Sequence, residues 1–422
     1  MGMALEKPKL FPQRKTFVWF AAILIILIVL RLIFLYQSYQ AFITKPFYYT
    51  NATVITSYEK TKYDKRYTVL KLKSDEGFTF YTTTHRKENF HHKRLRLQLF
   101  PNASIGFKDY LSTFYVKSKI KHQEKIPLTK KDRPQAYVNM QHKNSSLASF
   151  YNAIFFATPI DANLRDKIAL LGVSHLVALS GFHLGILWGL IYGFLLLLYR
   201  PLQQRFFPYR HALLDVGVVS MLLLGFYVWF VGYPPSLLRS YAMVLIGWFV
   251  LLLGMELLSF TFLTSVFLLL AVIFPYLLVS LSFWLSVAGV FYIFLLLQYT
   301  KEANKWLITL LYIPIGIFVL MLPVVHAVFP VTSSYQLLSP ILSLLFIPFY
   351  PMAIFLHLVG MGSLFDEGLM YLFNLPNKGS EHLLSLWLVS VYILLSIGAI
   401  WQRKLFYVVL VLALIYGMTL FI

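Results

Sequence analysis

Long apolar runs dominate this chain, and their lengths predict its elements. Residues 17–36 are apolar apart from Arg31, about one bilayer crossing for a helix. The flank before them is basic, with Lys7, Lys9, Arg14 and Lys15. No small-residue cleavage site follows, so the run reads as an uncleaved anchor with a cytoplasmic amino terminus. From residue 179 the runs follow one another, at about 179–199, 212–231, 237–254, 257–273, 276–298, 306–325, 382–400 and 405–422. Arg200, Arg205 and Arg210, then Lys301 and Lys305, mark cytoplasmic turns, and Glu256 marks another turn. Residues 336–358 are apolar but carry Pro340, Pro348 and Pro351. A single crossing there would leave Arg403 and Lys404 outside, so a broken or re-entrant pair is expected.

Residues 45–145 alternate instead. Short β-branched and aromatic stretches recur at 48–57, 66–73, 78–84, 94–100 and 110–117, separated by Asp75-Glu76-Gly77 and Pro101-Asn102. That period of two predicts a small antiparallel barrel or sheet of about five strands, and an OB fold is the natural expectation. Residues 118–146 read as a charged linker, and 147–157 as a short helix lying at the membrane interface. The expected division is an anchor (1–44), an extracytoplasmic OB-like domain (45–145) and a multi-helix membrane domain (146–422). The fold class is a polytopic α-helical membrane protein with that β-domain inserted after the first crossing.

Composition sharpens this. The 422 residues are 59% hydrophobic and 13% charged, about half the charge of ordinary soluble chains. Cysteine is absent, which excludes disulfides and thiolate chemistry. The net charge of +20 exceeds what loop orientation needs and points to a polyanion, either nucleic acid or anionic lipid. In the β-domain, cations interleave with aromatics: Tyr63, Lys65, Arg66, Tyr67 and Lys71, then Arg86, Lys87, Phe90, Lys93, Arg94 and Arg96. Bases stack on exposed rings while cations track phosphates, as in single-strand binders. The competing reading makes the rings core and the charges a solvated face. His85, His91 and His92 lack a ligand frame, so no metal and no cofactor is expected.

Chemistry concentrates in Gly172–Gly193, GVSHLVALSGFHLGILWGLIYG. On one helix His175 and His183 lie two turns apart, with Ser180-Gly181 between them. Gly181, Gly185, Gly189 and Gly193 recur every fourth residue, a bare stripe that predicts close approach by another helix. Histidine and serine at membrane depth usually line a path or a site. A second site is Pro234-Pro235-Ser236-Leu237-Leu238-Arg239-Ser240. The prolines predict a helix start at Ser236, whose exposed amides, with Arg239 one turn in, suit an anion. Arg239 could instead snorkel or pair with Asp161 or Asp166.

The string SHLVALSGFHLG resembles the signature of the ComEC-type competence proteins, through His175, Ser180, Gly181, His183 and Gly185. Pro235, Ser236, Arg239 and Met243 resemble a second family pattern. A third is matched by Pro275 and Phe283-Trp284-Leu285-Ser286, though Ser280, Ser282 and Trp284 replace the family's Asp, Gly and Gln. The resemblance covers about 150–350 well, and 45–120 by fold type. It implies an inner-membrane channel passing single-stranded DNA from periplasm to cytoplasm, with His175, Ser180, Gly181, His183, Gly185, Ser236, Arg239 and Ser286 along the path. It also implies a periplasmic DNA receptor, cytoplasmic DNA-processing proteins and self-association as partnerships. The His-x-His-x-Asp-His cluster of the family's nuclease domain is missing, as is a GxxxxGK[ST] loop. A short, non-enzymatic member with its nuclease in trans is therefore expected. Two other classes stay open. One is an intramembrane serine hydrolase using Ser180. The other is a small-solute transporter, whose broken helices these prolines would suit.

Overall fold

The computed structural model describes residues 10–62, 65–86, 88–90, 92–127, 130–252, 259–375 and 378–421. Tyr63, Lys87, His91 and Glu256, and the basic residues before position 10, lie outside them. The chain divides into two units, one of them Gln13–Thr129 with Ser265–Phe283.

In that unit α1 (Arg14–Ile43) is one 30-residue helix. At 1.5 Å per residue it is about 45 Å long, against a hydrocarbon core of about 30 Å. Its first half packs Leu24 and Ile28 on Leu268 and Ala271. Its last turn is aromatic and belongs to the sheet core. Tyr39 donates its hydroxyl to the Ile105 carbonyl at 2.8 Å. Phe42 is buried among the rings of Tyr48, Phe78, Tyr110 and Phe114, with centroids 5.5–5.6 Å away.

The sheet follows: β1 (Tyr48–Lys62), β2 (Lys65–Ser74), β3 (Thr79–Thr84) and β4 (Lys93–Phe100), then a short helix α2 (Phe107–Leu111), β5 (Thr113–Tyr115) and β6 (Lys117–Lys125). The strand order is β5-β3-β2-β1-β4-β6. Only the β3–β5 pair is parallel. Period-two alternation sorts each strand. Leu95, Leu97 and Leu99 are buried, while Arg94 and Arg96 on alternate positions are exposed. The sheet has six strands rather than about five, one of its pairs is parallel, and among the described residues no pairing closes it into a barrel. The sequence expectation also fails at two places. The stretch 110–117 is helix end, short strand and a break at Val116, and the supposed linker holds a full strand in β6. β6 is almost wholly polar, so no apolar alternation announces it. Its pairing with β4 places it.

The other unit opens with α3 (Asp132–Met140), α4 (Ser145–Phe156), α5 (Ala162–Leu170) and α6 (Ser174–Val177). α4 starts where Asn144 accepts the Ser146 amide at 2.8 Å. It is packed inside the protein rather than laid along its surface. Leu147, Ala148 and Phe150 through Phe155 are all buried. The long helices that follow are α7 (Gly181–Phe206), α8 (Ala212–Phe230), α9 (Pro235–Leu252), α10 (Phe260–Ile273) and α11 (Leu281–Tyr299), of which Ser265–Phe283 belongs to the first unit. α12 (Lys305–Leu307) then runs through a π turn into α13 (Ile313–Val325), followed by α14 (Ser339–Leu358), α15 (Asp366–Asn374), α16 (Leu386–Gly398) and α17 (Arg403–Phe421). Among the described residues seven helical stretches are long and apolar enough to cross a membrane: α1, α7, α8, α11, α12–α13, α14 with its leading turn, and α17.

The expected break at 336–358 is absent, and α14 is one continuous helix. Pro340 falls in its first turn, where an amide has no intrahelical partner to lose. Pro348 and Pro351 each cost a hydrogen bond, but Phe346, Tyr350 and Ala353 bury that stretch against α4 and its neighbours. Packing therefore carries the helix across both prolines.

Candidate functional site

The signature stretch is not one helix. After α5, Gly172 adopts φ +68°, a left-handed conformation that suits glycine. Its carbonyl accepts from the Ser339 hydroxyl at 3.0 Å, and Gln336 bonds the Ala169 carbonyl at 3.3 Å. α6 then lasts one turn. The chain extends at Ala178 and Ser180, and α7 begins at Gly181 with Ser180 as its N-cap. His175 and His183 thus sit on different elements, contrary to the continuous helix expected.

Both histidines face α14. His175 Nε2 lies 3.1 Å from the Ser343 hydroxyl. That hydroxyl gives its own hydrogen to the Ser339 carbonyl at 2.8 Å, so the imidazole N–H donates. His183 is 1% exposed, with the Phe346 and Tyr350 rings standing edge-on to it, each at 5.0 Å. Its Nδ1 lies 3.4 Å from the Ser180 amide and 3.3 Å from the Ser180 hydroxyl. An amide can only donate, so Nδ1 is the acceptor and the hydrogen sits on Nε2. This is a helix-capping arrangement with histidine in the place of the usual Glu or Gln. Ser343, Phe346 and Tyr350 recur at helical spacing, one stripe of α14.

The second motif meets the first. α9 starts at Pro235, one residue before the position expected, and the Leu237 and Leu238 amides both bond the Pro234 carbonyl at 3.0 and 2.9 Å. The Ser236 side chain lies outside the described residues. Arg239 and Ser240 are both 4% exposed. A Cβ on Gly181 would lie 3.2 Å from the Ser240 hydroxyl. The helix starts of α7 and α9 therefore touch, which neither motif announces alone. Before α9 the chain turns through Gly232 and Tyr233, both at positive φ. There Lys131 donates to the Val231 carbonyl, and Lys130 lies over the Trp229 ring at 4.9 Å. Cations suit a helix C-terminus such as the end of α8. Burial holds the Lys131 ammonium below the ordinary lysine range.

The rest of the glycine stripe behaves otherwise. A Cβ on Gly185, Gly189 or Gly193 would meet nothing within 4 Å among the described residues. Among the long helices of the signature region, tight glycine contacts fall on α8 instead, where a Cβ on Gly217 would lie 2.6 Å from Trp248 and one on Gly225 2.7 Å from Tyr241. Those glycines lie eight apart, so no four-residue repeat draws the eye to them. Ser286 is half-buried on α11, a helix whose Tyr292, Leu295 and Leu296 pack with α13, α16 and α17.

In the sheet unit the candidate DNA-binding residues are spread out. Arg66 is exposed and Tyr67 half-buried at the far end of the β1–β2 hairpin. Arg94 and Arg96 face Thr53 and Asn51 of β1. The register from Thr61, opposite Arg66, to Thr53 puts roughly 27 Å between the two groups, at about 3.4 Å per residue. Arg94 is paired with Asp75, and Lys93 with Glu88 at 3.0 Å. That bond holds the Glu88 carboxyl below its usual range. Lys71 lies 5.7 Å over the Tyr81 ring, and Arg86 is exposed in the loop after β3. Phe90 is buried core under Lys93, not a stacking platform.

Seven membrane-length helices and a polar cluster buried between helix starts define a multi-pass membrane protein. The sequence model of the competence protein family matches residues 157–420. That span is more than half the chain and holds the whole α6–α14 arrangement, so this chain belongs to the competence protein family, of ComEC type. Membership points to DNA uptake in competence. Comparisons with curated proteins and with solved structures return no match.

Proposed function

We propose that the chain is an inner-membrane channel passing single-stranded transforming DNA to the cytoplasm, with its amino terminus on the cytoplasmic side. One observation carries this reading. A buried arginine, Arg239, lies on the helix start that touches the family signature at Gly181. A guanidinium keeps its charge when buried and binds phosphate oxygens in a planar fork. Amides at the starts of α7 and α9 add partial positive charge beside it. His175, Ser180, His183, Gly185, Ser236 and Ser286 are the remaining path candidates. The Ser180–His183 contact favours capping over nucleophile activation, because the imidazole also serves the Ser180 amide.

The sheet unit is, on this reading, an OB-type barrel that receives the strand. Support comes from its ladder: β5 pairs with β3 and β6 with β4, while only Val116 separates β5 from β6. Arg66, Tyr67, Lys71, Arg86, Lys87, Lys93, Arg94 and Arg96 would form a track rather than a pocket. A periplasmic receptor would deliver DNA, and cytoplasmic processing proteins, with a nuclease in trans, would complete uptake.

The test is Arg239→Gln, which removes the charge but keeps a polar, hydrogen-bonding side chain, though a shorter one. Labelled DNA reaching the cytoplasm should drop at least tenfold, while DNA captured outside and the amount of inserted protein stay unchanged. Import at the normal rate in that variant would sink the channel reading.

A further inference from the structure

The α14 stripe continues past Tyr350 to Ala353 and His357, and there, two turns beyond Tyr350, it meets a second polar array. His142, in the turn between α3 and α4, and His357 face each other through their Nε2 atoms at 2.9 Å. His142 Nδ1 lies 2.9 and 3.0 Å from the two carboxylate oxygens of Asp366, the first residue of α15. His357 Nδ1 lies 2.7 Å from the Ala353 carbonyl. Turning either ring over would put carbon against a polar atom, so these nitrogen positions are set by their partners.

The Ala353 carbonyl only accepts, so His357 Nδ1 carries a hydrogen. One hydrogen must lie between the two Nε2 atoms. Asp366 presents both oxygens almost equally to His142 Nδ1, the geometry of a carboxylate accepting one N–H. The Asp366 side chain keeps 17% of its exposure, enough for hydration of the charge, while the His142 side chain is fully buried. Three N–H bonds are thus shared by two rings, and two neutral imidazoles supply only two. The three bonds together call for one proton more than two neutral rings and a carboxylate carry.

The surroundings suit an imidazolium. The Tyr151 ring of α4 stacks on His142 at 4.5 Å and lies 4.5 Å from His357, and Phe155 stands edge-on at 5.0 Å. Aromatic faces attract a desolvated cation. Burial keeps the Tyr151 hydroxyl protonated, so it brings no competing charge. Lys143 beside His142 and Glu367 beside Asp366 are exposed and solvated. Gln141 is a neutral clamp, bonding the His357 carbonyl at 3.0 Å and the Gly362 amide at 2.8 Å. A Cβ on Gly362 would lie 2.7 Å from the His357 ring, so only glycine leaves the array room.

We propose that Asp366, His142 and His357 form a binding site for one exchangeable proton, which pins the α3–α4 turn to α14 and α15 and is released as pH rises. The sign follows from the hydrogen count. The closed array holds the extra proton, so the link is complete at low pH. Losing that proton leaves one of the three bonds without a hydrogen. This site is independent of the DNA path proposed above.

The test uses the full chain, labelled with ¹⁵N-histidine and held in lipid bilayers at about pH 8. A free histidine, with a pKa of about 6.5, is then on the order of 3% charged. Expected is one doubly protonated imidazole, correlated across an N–H···N bridge to a second ring in the unmodified protein. Asp366→Asn should abolish the charged form, and His142→Gln both the charge and the bridge. All rings neutral at that pH, a protonated Asp366, or a charged ring without the bridge would each overturn the proposal, and each is read on the unmodified protein.

Discussion

The signature cluster and the charged face of the sheet hold similar side chains in opposite circumstances. At the cluster, His183, Arg239 and Ser240 are shut away from solvent on two helix starts that touch at Gly181 and Ser240. On the sheet, Arg66, Arg94 and Arg96 stay exposed along roughly 27 Å of hairpin, and Arg94 is already satisfied by a carboxylate. A buried polar group is held in place by packing, so its position is informative. An exposed charge is held by little, and its contribution is diffuse, additive and screened by salt. The first region should therefore respond sharply to single substitutions and the second weakly.

The largest effect is expected at Phe346, which walls His183. Phe346→Ala opens a cavity beside the imidazole and should cost about 3–5 kcal/mol, read by thermal unfolding in detergent. A loss under 1 kcal/mol would mean that the α7–α14 contact is loose and that the contrast between the regions fails.

Next come the glycines, which sharpen the comparison within the membrane unit. Gly217→Ala pushes a methyl against Trp248 and should destabilise by about 1–3 kcal/mol. Gly189→Ala meets open space and should instead be neutral, or gain up to about 1 kcal/mol from helix propensity. If the second variant proves the more damaging, the Gly189 face is covered by another chain in the membrane.

The smallest effects belong to the sheet. Arg94→Ala breaks an exposed pair and should cost about 0.2–1 kcal/mol. Arg96→Ala should reduce the salt dependence of single-strand binding by roughly one counterion, a slope change of about 0.7. Measured against salt concentration, an unchanged slope would remove Arg96 from the track.

Much of the architecture was readable from one-dimensional pattern, and the failures share a cause. Apolar runs of span length located α7, α8, α11, α13 and α17, because lipid demands both length and apolarity of any crossing helix. Period-two alternation located β1 to β4 for a comparable reason, since one face of each strand is buried. β6 escaped notice because it is paired without being buried. A break in α14 is expected because proline's local cost is visible in sequence, whereas the rings that keep the helix continuous lie about 200 residues away, in α4 and its neighbours. The array of His142, His357 and Asp366 spans more than 220 positions, and no local spacing could pair its members. Its only trace in sequence was a lone histidine at the end of an apolar run.

By itself, then, the sequence determined that this is a multi-pass membrane protein carrying a basic β-unit, and its short motifs marked the competence family. These properties follow from transfer of side chains between water and lipid, which is decided residue by residue. Tertiary structure alone decided which polar groups meet: Gly181 with Ser240, His183 with Phe346 and Tyr350, and Asp366 with His142 and His357. Such meetings depend on how separate helices pack, and packing is a property of pairs of distant segments rather than of any one of them.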